Sequence, residues 1–473
     1  MSNIVAGQEE NARLAKEPIG RLLLQFSIPC VLSMLVSALY NIVDQIFIGR
    51  SVGYLGNAAT NVVYPLTVVA LALALLAGDG SAALLSLSLG RSDYDICHKC
   101  IGNGIVLSAG IGILLMAVGL CFTDSILTLF GVTEASYSYA REYIDVILLG
   151  IPFYVFTSGM NAAIRADGSP GYSMFATVLG AVINLILDPV AIFLLDMGIR
   201  GAAIATVIGQ AASCFVTLLY FRRPKSFRFQ KSSFCFSGRL VRQIAQLGIS
   251  SFITQIAIVI IIISVSNNTI VNYGPQSIYG ADIPLSVIGI VMKVFGIVIA
   301  FAVGIAVGGQ PIAGYNYGAK KYHRAFLTYR WVVVSDVLVG AVAMLLFECC
   351  PQVIIRIFGN ENDLYHEFAN LCFRIFLGGI LLCCVQKASS IFLQSIGKPV
   401  KATLLSLSRD VFFLVPGVVL LSRFFGVTGM LWAAPIADVL SFFLTLVLLA
   451  LEYRSVRNQM EEHVRPRKEP QQN

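Results

Sequence analysis

The sequence consists largely of long apolar segments separated by short polar connections. Twelve such segments lie near residues 19–49, 56–80, 95–121, 139–163, 171–195, 201–221, 240–265, 283–308, 323–347, 366–394, 400–421 and 429–452. About 20 apolar residues are enough for a helix to cross the hydrocarbon core of a bilayer. Charged residues make up only 12% of the chain, against about 25% in a typical soluble domain. The sequence therefore predicts an all-α polytopic membrane protein with twelve transmembrane helices.

Basic residues alternate between the connections and predict the orientation of the chain. Of the 33 Lys and Arg residues, 23 lie at the two termini and at every second connection, while the opposite side has only five Arg residues, at most one per connection. Cytoplasmic loops of membrane proteins carry such an excess of basic residues. We therefore expect a multi-pass protein of the cell (inner) membrane with both termini in the cytoplasm.

The second half of the chain repeats the first in a constant register. This register pairs Gly90 with Gly318 and Gly198 with Gly426, and a register one residue longer pairs Gly168 with Gly397. We interpret these glycines as turn positions shared by two copies of a six-helix unit. The predicted division is a cytoplasmic tail (1–18), an N-terminal six-helix lobe (19–221), a basic cytoplasmic linker (222–239), a C-terminal six-helix lobe (240–452) and a second cytoplasmic tail (453–473).

Two six-span copies both start and end on the same side of the membrane, so they are parallel repeats. Such repeats enclose a central cleft between the lobes, which suits alternating access by rocking; the alternative is a rigid structural bundle. The basic linker fits the orientation bias already described, and it is also a candidate surface for anionic membrane lipid.

Ionisable side chains inside a span cost at least about 2.5–3.5 kcal/mol on insertion scales, so they mark functional sites. Asp44 lies six residues before Arg50, and Asp188 lies eight residues before Asp196. With a helical rise of about 1.5 Å per residue, both acids lie about 9–12 Å below the outer surface. Thr206, in the sixth span, lies at a similar depth.

Asn184 precedes Asp188 by four residues, so both side chains lie on one helix face. Pro189 leaves the Leu185 carbonyl without its helical donor. These oxygens are suitable ligands for a hard cation such as sodium, with Asp44, Asn184, Asp188 and Thr206 as the metal ligands. Alternatively, burial and repulsion between the two acids favour a proton on one of them. A third possibility is that the polar groups only bond each other and hold the helices together.

Other charges in the spans give less definite predictions. Asp145 lies at a depth similar to that of Asp44 and is a candidate accessory residue. Most charged residues in the spans of the second half are interpreted as structural ion pairs or lipid-edge anchors, and the alternative is a cavity-lining role for Lys293 or Lys387. Arg409 and Asp410 are adjacent and are predicted to point to different helix faces, without neutralising each other.

Several classes of function are not supported by the sequence. The net charge of +7 follows the membrane orientation and does not indicate nucleic-acid binding. No phosphate-binding loop of the GxxxxGK[ST] form occurs, so ATP is not an expected partner. We find no catalytic constellation and expect neither an enzyme nor a cofactor.

Three motifs resemble those of the multidrug and toxic compound extrusion (MATE) exporters, and the resemblance covers nearly the whole chain. They are LYNIVD at residues 39–44, which includes Tyr40, NLILDP at 184–189, and GQPIAGYNYGA at 309–319, near the predicted end of the eighth span. The resemblance implies that Asp44, Asn184, Asp188 and Thr206 form the N-terminal cation site of the family. Tyr143 resembles a tyrosine that supports this site, and Pro29 resembles the proline at which the first helix bends.

Another branch of the family has acids in its seventh and tenth spans. This sequence has Gln255 and Ser264 in the former and Arg374 and Lys387 in the latter, and so it resembles the bacterial branch with a site in the N-terminal half. The resemblance implies a secondary antiporter that exports an organic cation or amphiphile in exchange for inward proton or sodium. The alternative is a lipid-linked oligosaccharide flippase of the same superfamily, with basic residues that hold a pyrophosphate.

Overall fold

The computed structural model describes residues 13–263, 273, 276–280, 282–358 and 363–464, which are almost entirely helical and contain no strand. Ser264 lies outside these residues. The first half contains α1 (Ile19–Val52), α2 (Tyr54–Gly90), α3 (Tyr94–Cys121), the short α4 (Thr123–Leu129), α5 (Glu134–Ala166), α6 (Pro170–Pro189), which a π-helical turn (Val190–Leu194) extends, and α7 (Gly198–Tyr220).

The second half repeats this order. It contains α8 (Gly238–Ile263), α9 (Asp282–Gly318), α10 (Tyr322–Cys349), α11 (Pro351–Phe358), α12 (Asp363–Leu371) with the π-helical Cys372–Phe376, α13 (Ile380–Ser395), α14 (Pro399–Leu407) with the π-helical Ser408–Leu414, and α15 (Val415–Val464). A 3-10 turn, Lys231–Phe234, lies in the connection between the halves.

The predicted class, an all-α polytopic membrane protein, is confirmed. Among the described residues, nine helices are long and apolar enough to cross a membrane, or ten when the bent pair Asp363–Phe376 and Ile380–Ser395 counts as one.

One of the nine contains Gly426, whose φ of 64° and ψ of −149° belong to a region that only glycine adopts readily. The residues on its two sides pack on each other, since a Cβ at Gly429 would lie 2.3 Å from the Leu421 carbonyl oxygen. Each predicted segment coincides with a helix or helix pair, and the exact number of twelve crossings stays a prediction.

Two helices continue well beyond their predicted ends. α2 reaches Gly90, ten residues past the predicted end, and α9 reaches Gly318, also ten residues past it. The GQPIAGYNYGA motif therefore lies inside a helix. The additional turns are held by contacts between the halves, which hydropathy does not detect.

Gly90 and Gly318 form the contact that extends both helices. A Cβ at Gly90 would lie 2.1 Å from the carbonyl oxygen of Tyr315, and one at Gly318 would lie 2.2 Å from that of Leu87. The register that relates Gly90 to Gly318 also relates Leu87 to Tyr315. The two contacts are thus copies of each other, related by an approximate two-fold axis between α2 and α9. The interpretation of Gly90 and Gly318 as turn residues is wrong, whereas Gly168 and Gly397 do lie at turns, with φ of 81° and 78°.

The halves are joined by further close crossings near the same end of the molecule. Gly248 of α8 packs on the Leu76 carbonyl of α2, and Gly308 of α9 packs on Ser27 of α1. The outer part of α9 is different: Lys293 is exposed and lies eleven residues, close to three helical turns, before Gly304, which contacts α1. The side of α9 that packs on α1 at Gly304 is therefore uncovered at Lys293.

Loops at the terminal end are anchored by specific bonds. The main chain of Leu14 accepts hydrogen bonds from Asn316 and Arg324, and Ser233 of the connection between the halves bonds to His98 of α3 at 2.9 Å. The carboxylate of Asp167 accepts bonds from the Tyr220 hydroxyl (2.6 Å) and from two backbone N–H groups, those of Lys225 and Ser226. Asp167 thus fixes the start of this connection to the first half.

We expect Asp167→Ala to lower the stability of the protein by about 2–3 kcal/mol, because it removes the acceptor of two backbone N–H groups and leaves the Tyr220 hydroxyl with Ser169 alone. The measurement is the thermal unfolding midpoint of the detergent-purified protein. Asp93→Ala is the matched control at the same end of the molecule. Within the described part of the chain, the Asp93 side chain accepts one hydrogen bond, from the Ile96 N–H at the start of α3, and loss of such a cap costs about 1 kcal/mol. Equal midpoints for the two variants would contradict the prediction.

Candidate functional site

The structure brings together four of the predicted residues in the first half. Asp44 comes from α1, Asn184 and Asp188 from α6, and Thr206 from α7. Asp44 is 8% exposed and Asp188 is fully buried. Asp188 directly precedes Pro189 and the π-helical turn Val190–Leu194, a place where the regular helical bonding is already interrupted.

Asn184 connects the cluster. Its side-chain amide donates to Asp188 Oδ1 at 3.0 Å and to Thr206 Oγ1 at 3.2 Å. The carboxyl groups of Asp44 and Asp188 lie close enough to interact with each other. One oxygen of each of Asp44, Asn184 and Asp188 has no hydrogen-bond partner within the described part of the chain. The cluster is therefore rich in acceptors and has too few donors.

This excess of acceptors determines the chemistry of the site. Within the described residues no Lys or Arg forms an ion pair with Asp44 or Asp188. Buried acceptors without donors are costly, and two facing carboxyl groups are stabilised by a shared proton or by a cation between them. Carboxylate, amide and hydroxyl oxygens suit a hard cation such as sodium. The cluster thus fits either ion.

A polar cavity of about 110 Å³ leads away from this cluster, with space for several water molecules. Tyr40 lies in its wall, and Asn184 and Thr206 connect it to the cluster. Tyr40 and Tyr143 are both close enough to interact electrostatically with the two acids. The remaining wall includes Ser37, Tyr154, Thr157, Ser158, Asn161, Thr177, Gly180, Ala181, Gly209, Gln210 and Ser213.

Three predicted accessory residues lie elsewhere. Asp145 forms an ion pair with Arg141 at 3.0 Å and is about half exposed, so its charge is already balanced outside the cluster. Pro29 is inside α1, which continues through it without interruption, and it lies beside a separate cleft near the terminal end. Lys293 is exposed on the side of α9 that packs on α1 nearer the terminal end.

Most of the buried charges in the second half pair with one another. Lys387 bonds Asp410 at 2.6 Å, Arg409 bonds Asp410 at 2.7 Å, and Arg409 also bonds Asp438 at 2.6 Å. The prediction that Arg409 and Asp410 do not neutralise each other is wrong. Both lie in the π-helical segment Ser408–Leu414, and the long side chain of Arg409 reaches the carboxylate of its neighbour.

The sequence analysis missed two features of the first half. The carboxylate of Asp79 accepts a bond from Ser251 of α8 at 2.6 Å and so connects the halves. The wall of the cavity also contains Thr157, Asn161 and Gln210, each with an unpartnered side-chain oxygen among the described residues. Thr157 and Asn161 are four residues apart on α5, and this helical spacing was the available signal.

Comparison with known proteins places this architecture in a family. The family model MatE matches the chain twice, at residues 29–190 and 256–419, and the two matches follow the internal repeat. The chain belongs to the MATE family. Membership identifies it as a multidrug efflux transporter of the membrane and confirms the resemblance seen in the sequence motifs.

Individual relatives agree with this MATE assignment. The chain is 25% identical to the multidrug export protein MepA of Staphylococcus haemolyticus over 447 residues, covering 93% of this chain and 95% of the relative. It is 32% identical to the MATE multidrug transporter DinF-BH, solved in complex with the dye rhodamine 6G, with a TM-score of 0.85 and coverage of 93% and 97%. A MATE solved in complex with MaL6 has a TM-score of 0.87 at 20% identity, with coverage of 94% and 99%, which is evidence for the fold alone.

Proposed function

We propose that this MATE transporter is a secondary antiporter. It exports organic cations or amphiphilic drugs, and an inward-moving proton or sodium ion at the Asp44–Asp188 cluster supplies the energy. The observation that carries the proposal is the pair of buried facing carboxyl groups, whose unpartnered oxygens need a proton or cation. The related DinF-BH structure in complex with rhodamine 6G supports a drug-like substrate.

Alternating access explains how ion and drug movements are coupled. The halves touch near the chain termini, and the exposure of Lys293 on α9 supports a cleft that is open at the opposite end. By the distribution of basic residues, the terminal side is the cytoplasm of the cell and the open side is outside. An ion that enters from outside reaches the first-half cluster, and its binding energy shifts the balance between the two orientations.

The alternative function, a lipid-linked oligosaccharide flippase, needs basic residues that are free to hold a pyrophosphate. In the second half, Lys387 and Arg409 are engaged by Asp410 and Asp438, and Arg374 lies 3.9 Å from Glu348 in an exposed pair. These pairings favour the antiporter. Membrane lipid stays an expected partner of the basic linker at residues 222–239.

The proposal is tested with the purified protein in liposomes loaded with rhodamine 6G. A pH gradient alone and a sodium gradient alone are applied in separate experiments, and the rate of dye movement is followed by fluorescence. We expect one of the two gradients to drive the dye against its concentration gradient and the other to have no effect. Movement driven by neither gradient, with protein that still binds the dye, would refute ion-coupled export.

A further inference from the structure

The cluster of paired charges in the second half occupies the place of the first-half cavity. Its members are Lys387, Arg409, Asp410 and Asp438. The register that pairs Gly168 with Gly397 relates Lys387, Arg409 and Asp410 to Ser158, Gly180 and Ala181, and the register that pairs Gly90 with Gly318 relates Asp438 to Gln210. All four first-half counterparts lie in the wall of the polar cavity. Charged side chains thus replace small or neutral ones at each of these positions.

Contacts in space support this correspondence independently of the sequence register. A Cβ placed at Gly150 would lie 2.6 Å from Gln210 Oε1, and one at Gly379 would lie 2.2 Å from Asp438 Oδ2. Gly150 and Gly379 are themselves paired by the register of Gly168 and Gly397. In each half, a glycine therefore gives space to the polar side chain of the last span.

The bonding in the second half is that of an occupied cation site. The guanidinium of Arg409 lies between the carboxylates of Asp410 and Asp438, with nitrogen–oxygen distances of 2.7 and 2.6 Å. Its other face lies over the ring of Phe295 at 5.6 Å. Both acids are nearly fully buried, and Arg409 is only 6% exposed. Lys387 balances the second carboxylate charge, so the group of four is neutral.

We infer that Arg409 acts as a tethered cation, which permanently fills the second-half counterpart of the first-half cavity. The inference rests on the proposed function for the ion site of the first half, where two facing acids without a basic partner take their cation from solution. In the second half the cation is covalently part of the chain and cannot leave. The second half thus offers the coupling ion no exchangeable site at this place, and the exchangeable site lies in the first half.

This inference predicts that removal of the Arg409 charge opens a site for a free cation. Arg409→Met leaves Asp410 and Asp438 with only Lys387, and the net charge of the group becomes negative. We expect sodium, compared with choline at equal ionic strength, to raise the unfolding midpoint of Arg409→Met by about 2–4 °C through binding to the folded state. The pH is kept alkaline so that protons do not compete. Arg409→Gln, which keeps a hydrogen-bond donor but not the charge, should respond in the same way.

Charge-balanced controls distinguish this site from a structural ion pair and from the first-half site. Arg409→Met combined with Asp438→Asn restores neutrality and should show no more sodium response than the reference protein in which Arg409 and Asp438 are unchanged. All proteins carry Asp188→Asn as well, so that sodium at the first-half cluster does not contribute, and failure of the proposed antiport does not affect the result.

Three results would overturn the inference. One is an equal midpoint in sodium and choline for both Arg409 variants, and another is a sodium response in the double variant as large as that of Arg409→Met. The third is failure of both single variants to accumulate in membranes. The inference predicts that they do accumulate, because cations of the growth medium should take the place of the missing Arg409 guanidinium.

Discussion

Asp188→Asn is expected to reduce gradient-driven drug efflux to the level of protein-free liposomes. The substitution keeps the size of the side chain and an oxygen for the Asn184 amide, which donates to Asp188 at 3.0 Å. It removes the negative charge of this side chain. The cluster therefore loses the ability to carry a proton and half of the negative charge that attracts sodium. Without ion binding that differs between the two conformations, the gradient cannot shift their balance.

The measurement is efflux of rhodamine 6G from loaded vesicles, with gel filtration to verify that the variant is folded and monodisperse. Asp44→Asn should give the same loss, since the two carboxyl groups face each other. Asp145→Asn is the matched control, because it makes the same chemical change on α5 at an acid whose partner is Arg141. Its efflux should stay close to that of the unsubstituted protein. Full efflux in both Asp44→Asn and Asp188→Asn would exclude the cluster as the ion site.

The sequence predicted the members of the cluster because depth in a membrane helix follows directly from residue spacing. Asp44, Asp188 and Thr206 had similar calculated depths, and the helix period put Asn184 on the face of Asp188; the structure places the four side chains together. The cavity beside them was not predictable in this way. Its wall depends on how α5, α6 and α7 pack against α1, and residues such as Gln210 become cavity residues only through that packing.

The wrong predictions have a common physical origin in local departures from the regular helix and in contacts between the halves. Regular spacing separates Arg409 from Asp410, but in the π-helical segment Ser408–Leu414 the long Arg409 side chain reaches the neighbouring carboxylate. Hydropathy ends α9 near residue 308, but packing of Gly318 on the Leu87 carbonyl holds the helix together beyond that point. Neither effect is encoded in the apolar pattern.

A bulky side chain at Gly90 should prevent the halves from closing at the terminal end. In Gly90→Leu the new Cβ would lie 2.1 Å from the carbonyl oxygen of Tyr315, a backbone atom that cannot rotate away. Overpacking of this kind costs about 1–3 kcal/mol or more, which changes the ratio of two conformations by about 5- to 150-fold. We expect the variant to populate the conformation that opens toward the termini and to transport poorly.

The conformational shift can be measured by electron paramagnetic resonance with spin labels at positions 91 and 320, which are exposed at the ends of α2 and α9. The exposed native cysteines, at positions 121, 235, 349 and 350, are first replaced by serine. The distance between the labels should lengthen in Gly90→Leu and, by the approximate two-fold symmetry, equally in Gly318→Leu. Gly110→Leu is the control, because a Cβ at this position has no atom within 4 Å. Since both crossing glycines contact backbone atoms of the other half, unchanged label distances in both would mean that this contact does not close the transporter.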